Sequence, residues 1–103
     1  MADRQHLQNL ERELLAKGML IEAGFVGLRL AAIPLDAPAI QIEEMRHAFF
    51  AGAQHLMSSI MTVLDPGAEV TDADVAHMDA IQAELDTFIE QFKLRHFPAK
   101  GRA

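Results

Sequence analysis

The residues with the clearest chemical pattern are Glu44 and His47, which form a Glu-x-x-His motif. On a helix this spacing places a carboxylate and an imidazole on one face, as in helical proteins that bind two metal ions. If the neighbouring helices fold back at the two breaks in the chain, Glu22 and Glu90 lie at the same level. These four residues are therefore a candidate metal site. The favoured alternative is that no metal binds and that Glu22 forms a salt bridge with Arg46, which also lies at this level.

Two further patterns point less clearly to chemistry. Asp74 and His77 repeat the spacing, but in a folded bundle they would lie roughly 20 Å from Glu44 and His47. We interpret them as exposed residues in the first turn of the third helix. His55 lies near Ser58 and Ser59, although no strained turn or pair of oxyanion donors accompanies them. The sequence also lacks a phosphate-binding loop, an HExxH motif and a dinucleotide fingerprint. We therefore expect a protein that is not an enzyme and has no cofactor.

Proline and glycine divide the chain into three segments with the apolar periodicity of helices. The breaks are Pro34 to Pro38 and Asp65-Pro66-Gly67. The spacing predicts helices over residues 3–32, 38–64 and 72–96. Short links between long helices favour an all-α fold, an up-down-up antiparallel three-helix bundle that forms one domain over residues 1–103.

Two features of these segments bear on packing. The first segment contains Gly18, Gly24 and Gly27, each of which costs about 1 kcal/mol relative to alanine in a helix. We interpret all three as sites of close packing rather than bends. The middle segment is apolar around most of its circumference, so we expect neighbouring helices to cover it. The third segment has one apolar face, which consists of Val75, Met78, Ile81, Leu85, Phe88, Ile89 and Phe92.

Three helices leave part of the apolar surface of the middle segment without a partner. Two bulky rings precede three small residues in the sequence FFAGA, a pattern typical of a core or of a seam between two subunits. We therefore expect a homodimer, with the packing of a single chain as the alternative. The candidate interface residues are Phe49, Phe50, Gly52, Ala53, Leu56 and Met57.

The charge pattern restricts the partners. A net charge of −6 argues against direct nucleic acid binding. Eight acidic residues and no Lys or Arg lie between Asp65 and Glu90, and Lys93 and Arg95 follow. Acids near a helix N-terminus and bases near its C-terminus suit the helix dipole, which we favour over a dedicated acidic surface.

Targeting features are absent from the sequence. The most apolar stretch, Gly18 to Ile33, is too short to span a membrane and contains Glu22 and Arg29. The polar N-terminal residues do not resemble a secretory signal, and there is no cysteine. We expect a cytoplasmic protein that does not bind membranes.

The stretch from Gln41 to Phe88 resembles a group of short helical proteins encoded in phage and prophage genomes of α-proteobacteria. The resemblance lies in the sequence FFAGAQHL and in the LDPG turn followed by TDAD. It implies a mobile genetic element as the setting but no known activity. We therefore predict a non-enzymatic helical protein-interaction module, a phage or prophage accessory protein that binds itself and an unknown protein partner. The alternatives are a metal-binding helical protein and a phage structural or assembly component.

Overall fold

The computed structural model describes residues 3–64, 66–67 and 69–97, and the regular structure of these residues is entirely α-helical. The helices are α1 (Arg4–Ala16), α2 (Leu20–Ala31), α3 (Ala39–Val63) and α4 (Asp72–His96). The prediction of an all-α fold is confirmed, although residues 3–64, 66–67 and 69–97 form four helices in place of the predicted three. The bounds of α3 and α4 lie within one residue of those expected. Asp65 of the second predicted break lies outside the described residues.

The prediction of one helix over residues 3–32 is wrong because the chain turns at Gly18. Gly18 has a φ of 76°, a left-handed conformation that costs other residues about 1–2 kcal/mol. Its N–H donates to the carbonyl of Leu15 at 3.0 Å, and that of Met19 donates to Leu14 at 3.0 Å. This pair of hydrogen bonds is the Schellman motif that ends helices at glycine. Because the space where a Cβ would lie at Gly18 is open, the turn and not close packing requires this glycine.

The turn at Gly18 lets α1 and α2 form an antiparallel hairpin that contains the main apolar core of the described residues. Leu7 and Leu14 of α1 pack against Ala23 and Val26 of α2. At the open end of the hairpin, Nη1 and Nη2 of Arg4 both donate to the carbonyl oxygen of Leu30 at 3.1 Å. This contact satisfies a carbonyl in the last turn of α2, which has no partner within its own helix.

Close packing does explain the other two glycines of this segment. A Cβ at Gly24 would lie 3.3 Å from Cζ of Phe49, and a Cβ at Gly27 would lie 3.1 Å from Oε2 of Glu11. Both distances are shorter than ordinary van der Waals contacts. The interpretation of Gly24 and Gly27 as sites of close approach is therefore correct, and Gly18 is the exception.

By its contacts the chain divides into two units, Met1–His55 and Leu56–Ala103, with the boundary within α3. The first unit contains the α1–α2 hairpin and its core. No residue of α3 is buried, so the prediction that neighbouring helices cover the middle segment is wrong for the single chain. The physical reason lies in the hairpin, since α1 and α2 bury their apolar faces mainly against each other and not against α3.

The second unit contains α4, whose start is fixed by a capping box. Thr71 Oγ1 accepts a hydrogen bond from the N–H of Asp74 at 3.1 Å, and Asp74 Oδ2 accepts one from the N–H of Thr71 at 3.1 Å. Together these bonds satisfy two backbone donors at the start of the helix. Asp74 is also the one buried residue of α4.

Candidate interaction surface

The first of the predicted metal ligands, Glu22, binds Arg46. Arg46 Nε donates to Glu22 Oε2 at 2.9 Å, and Arg46 Nη2 donates to Oε1 at 2.5 Å. This two-point geometry is the strongest that a guanidinium and a carboxylate form. The salt bridge named as the alternative in the sequence analysis is thus confirmed, and a metal at Glu22 would have to displace Arg46.

The other three predicted ligands are exposed on the helices that carry them. Glu44 and His47 are exposed on α3. Glu90 belongs to the second unit, where its carboxylate lies 3.8 Å from Nζ of Lys93. Among the residues that the structure describes, no three His, Asp or Glu side chains are arranged to hold a metal ion.

The salt bridge makes the stability of the first unit depend on pH. Hydrogen bonds from Arg46 lower the pKa of Glu22 below its usual value of 4.5, and the positive charge of Arg46 adds to this effect. Arg46 also lies over the ring of Phe50, 4.5 Å from the ring centroid, which holds the guanidinium in place. Because the folded state has the lower pKa, the contribution of Glu22 to stability is complete above the unfolded pKa. It is lost as the pH falls through the folded value.

We therefore expect Glu22→Gln to weaken the acid dependence of unfolding. The measurement is urea unfolding of the parent and the variant at neutral pH and at roughly pH 3. The second pH lies below the usual pKa values of carboxyl side chains. The parent should lose more stability between the two conditions than the variant does. Glu43→Gln, which removes an exposed carboxylate of α3, serves as the control and should behave like the parent. An equal response of both variants would contradict the assigned role of Glu22.

The predicted interface residues of α3 divide into three pairs by their surroundings. Phe49 packs within the first unit, with its ring centroid 5.7 Å from that of Phe25, and Phe50 contacts Arg46. Gly52 and Met57 are exposed, and the space around a Cβ at Gly52 is open. Ala53 and Leu56 are half-buried. The two phenylalanines are thus partly engaged within their own chain, and an interface through this set stays a prediction.

A more continuous apolar surface runs along α4. Five of the seven side chains of its apolar face remain substantially exposed: Val75 by 48%, Met78 by 42%, Leu85 by 43%, Phe88 by 54% and Ile89 by 41%. Ile81 and Phe92 are half-buried. Side chains packed in a helical core are almost entirely shielded from water, and those of the α1–α2 core are exposed by 8% or less. The apolar face of α4 was predicted correctly as a pattern, and the second unit by itself leaves much of this face exposed.

Five residues of this face, together with the polar Gln82, follow the spacing of a coiled coil. Alternating steps of three and four connect these six residues along α4, which at 25 residues is about 37 Å long. We call this set the α4 seam, and it consists of Val75, Met78, Gln82, Leu85, Ile89 and Phe92. Ile81 and Phe88 flank the seam and widen its apolar surface.

The two ends of the α4 seam differ in character. At the start of α4 an open apolar depression of about 320 Å³ is lined by residues of the second unit, including Ile60, Leu64 and Val70. Towards the end of α4 the ring centroids of Phe88 and Phe92 lie 5.7 Å apart, and the tilted ring of His96 lies 4.4 Å from that of Phe92. The seam thus offers apolar contacts over the whole length of the helix.

No family model, curated protein or solved structure matches this chain. A function can therefore be proposed only from the surfaces of the helices described above. None of the described helices combines the length and apolar character needed to cross a membrane.

Proposed function

We propose that this chain is a non-enzymatic helical protein-interaction module that works as a homodimer, with the α4 seam as the dimer interface. The observation that carries the proposal is the exposure of apolar side chains along the whole of α4. Water contact with such a stripe is unfavourable, at roughly 25 cal/mol for each Å² of apolar surface. A helix partner that covers the seam would recover this free energy.

The length of α4 and its lack of buried apolar residues favour a partner helix. Helices in proteins are stabilised mainly by packing of an apolar face, because helix propensity alone gives marginal stability in water. Within the second unit, α4 buries none of its apolar residues. Its capping box adds about 1 kcal/mol at one end, which cannot replace a packed face. Pairing with a second helix accounts for the persistence of 25 helical residues.

A second copy of the chain is the partner that fits best. Two identical seams have equal length and matching apolar spacing, and a two-fold interface is the commonest form of oligomer. The half-buried and exposed residues of α3, such as Leu56 and Met57, would extend the covered surface beyond α4. The dimer would then bind a further protein, and we propose the cytoplasm of a host cell that carries a phage or prophage as the setting.

Sedimentation equilibrium of the untagged chain tests the proposal. A dimer of the 11.4 kDa chain, which dissociates on dilution, is the expected result. A monomer at every concentration from the micromolar range up to roughly 1 mM would overturn the proposal. At 1 mM even weak complexes, with a binding free energy of about −4 kcal/mol, form. Growth beyond the dimer with rising concentration would instead favour a structural or assembly component.

A further inference from the structure

We propose that the first half of α3 is a strap that closes over Phe25 of α2 and opens as one piece while the α1–α2 hairpin stays folded. We call residues 39–55 of α3 the α3 strap, and they belong with the hairpin to the first unit. The inference goes beyond the proposed function and does not depend on the dimer interface along α4.

The α3 strap is packed less deeply than the two helices of the hairpin. Close packing joins α1 to α2, whose core residues are exposed by 8% or less. No residue of the strap is buried. Its half-buried residues are Ile42, Met45, Arg46, Phe49, Phe50 and Ala53. An element with few buried apolar side chains opens at a lower free energy than the core of the same protein.

Phe25 of α2 is the residue that the strap covers. Its side chain is 3% exposed, although it does not belong to the cluster of buried residues between α1 and α2. The ring of Phe49 lies against it, with the two ring centroids 5.7 Å apart. Cζ of Phe49 also lies 3.3 Å from the position of a Cβ at Gly24, so the ring occupies space that a side chain there would fill. Opening of the strap therefore exposes Phe25 without removing a member of the hairpin core.

The pair of Arg46 and Glu22 fastens the strap to the same helix. Its two side chains are 42% and 24% exposed, so water reaches both partners. Ion pairs that water reaches contribute little to stability, and such a pair opens and closes readily. Arg46 also lies over the ring of Phe50, which belongs to the strap, so the guanidinium keeps this contact when the strap opens. The Arg46–Glu22 pair thus suits a reversible fastening.

The link between α2 and α3 allows this movement without unfolding either helix. α2 ends at Ala31 and α3 begins at Ala39. Within the link the N–H of Ala37 donates to the carbonyl oxygen of Pro34 at 3.1 Å, which closes a turn. Hinges consist of a few residues in loops or at the ends of helices, where changes in φ and ψ are absorbed. We place the hinge of the strap in this link, residues 32–38.

Thiol labelling of the full chain measures the opening, and the absence of native cysteine leaves one reactive group in each variant. Phe25→Cys places the thiol under the strap, and Ala23→Cys places it in the hairpin core. When reclosing is faster than labelling, the labelling rate reports the open fraction. We expect the thiol of Phe25→Cys to react roughly tenfold or more faster than that of Ala23→Cys. Leu20→Cys, at a side chain that is 67% exposed, gives the rate of an uncovered thiol and should exceed both.

Leu7→Ala distinguishes opening of the strap from unfolding of the whole unit. Added to Ala23→Cys, it should raise the labelling rate at least about tenfold, because the core is broken in the reactive state. Added to Phe25→Cys, it should leave the rate unchanged, because the core stays formed when the strap opens. Leu7→Val is the milder replacement if Leu7→Ala does not fold. Equal acceleration of both thiols would show that the unit opens only as a whole and would overturn the inference.

Glu22→Gln tests the fastening. Combined with Phe25→Cys, it weakens the pair with Arg46, and we expect labelling roughly two- to fivefold faster. Glu43→Gln, at an exposed carboxylate of the strap, is the matched control and should leave the rate unchanged. Equal rates for the two glutamine variants would contradict the role of Glu22. A thiol of Phe25→Cys that reacts as fast as that of Leu20→Cys would show that the strap does not close.

Phe49→Trp gives a second measurement that leaves Phe25 in place. The sequence contains no Trp or Tyr, so the indole is the only such fluorophore. Quenching of its emission by acrylamide should increase with Glu22→Gln and stay unchanged with Glu43→Gln. Quenching as strong as that of free tryptophan, before any further substitution, would show that the ring at position 49 does not rest on α2 and would overturn the inference.

Discussion

Leu85→Asp is expected to convert the proposed dimer into monomers. Leu85 lies in the middle part of the α4 seam, and its side chain is 43% exposed. Pairing would bring two symmetry-related carboxylates into the seam without a basic partner. Burial of an unpaired charge costs several kcal/mol, so the dissociation constant should rise by at least about a hundredfold.

The measurement is sedimentation equilibrium at concentrations where the parent chain is a dimer. Thr87→Asp is the matched control, since it adds the same charge to α4 on the side away from the seam, where Thr87 is exposed. We expect this control to remain a dimer and to keep the helix content of the parent. Dimers of Leu85→Asp with the affinity of the parent would show that the interface lies elsewhere.

Leu7→Ala is expected to lower the free energy of unfolding by about 2–5 kcal/mol. Leu7 has no exposed surface and is central to the core between α1 and α2. Its replacement removes apolar contacts and leaves a cavity, because the surrounding side chains can fill the space only in part.

Urea unfolding followed by circular dichroism measures this change. Leu15→Ala, on the same helix, makes the same replacement at a side chain that is 52% exposed, and it should cost much less. Equal losses for the two variants would contradict the assignment of Leu7 to the core. The comparison should be made at one protein concentration, because a dimer that dissociates on unfolding makes the apparent stability depend on concentration.

The positions of the helices could be predicted from the sequence because proline and apolar periodicity act locally. Pro34 and Pro38 exclude a helix across the first break whatever the tertiary contacts are. The turn at Gly18 was not predicted because Gly24 and Gly27 occur in the same periodic segment. Composition alone does not distinguish a glycine in a turn from a glycine at a close contact. Lys17 directly before Gly18 was a usable indication, since basic residues and glycine often end helices.

The packing partners could be predicted only in part. Counting residues from the first break correctly placed Glu22 beside Arg46, and this pair binds at both oxygens of the carboxylate. The same counting did not reveal that α3 contains no buried residue, since the apolar pattern indicates that a face needs cover but does not identify what covers it. For α4, the pattern was correct, and much of its apolar face is exposed within the second unit.

The contact between Arg4 and Leu30 has a consequence for how the chain folds. It joins residues 26 positions apart, and it closes a hairpin of two consecutive helices, a topology with low contact order. Hairpins with such low contact order fold within microseconds to milliseconds, whereas association of subunits depends on encounter and is slower at low concentration. Refolding should therefore show a fast phase that is independent of protein concentration and a later phase whose rate increases with it. During synthesis, α1 and α2 would be complete before α4 leaves the ribosome.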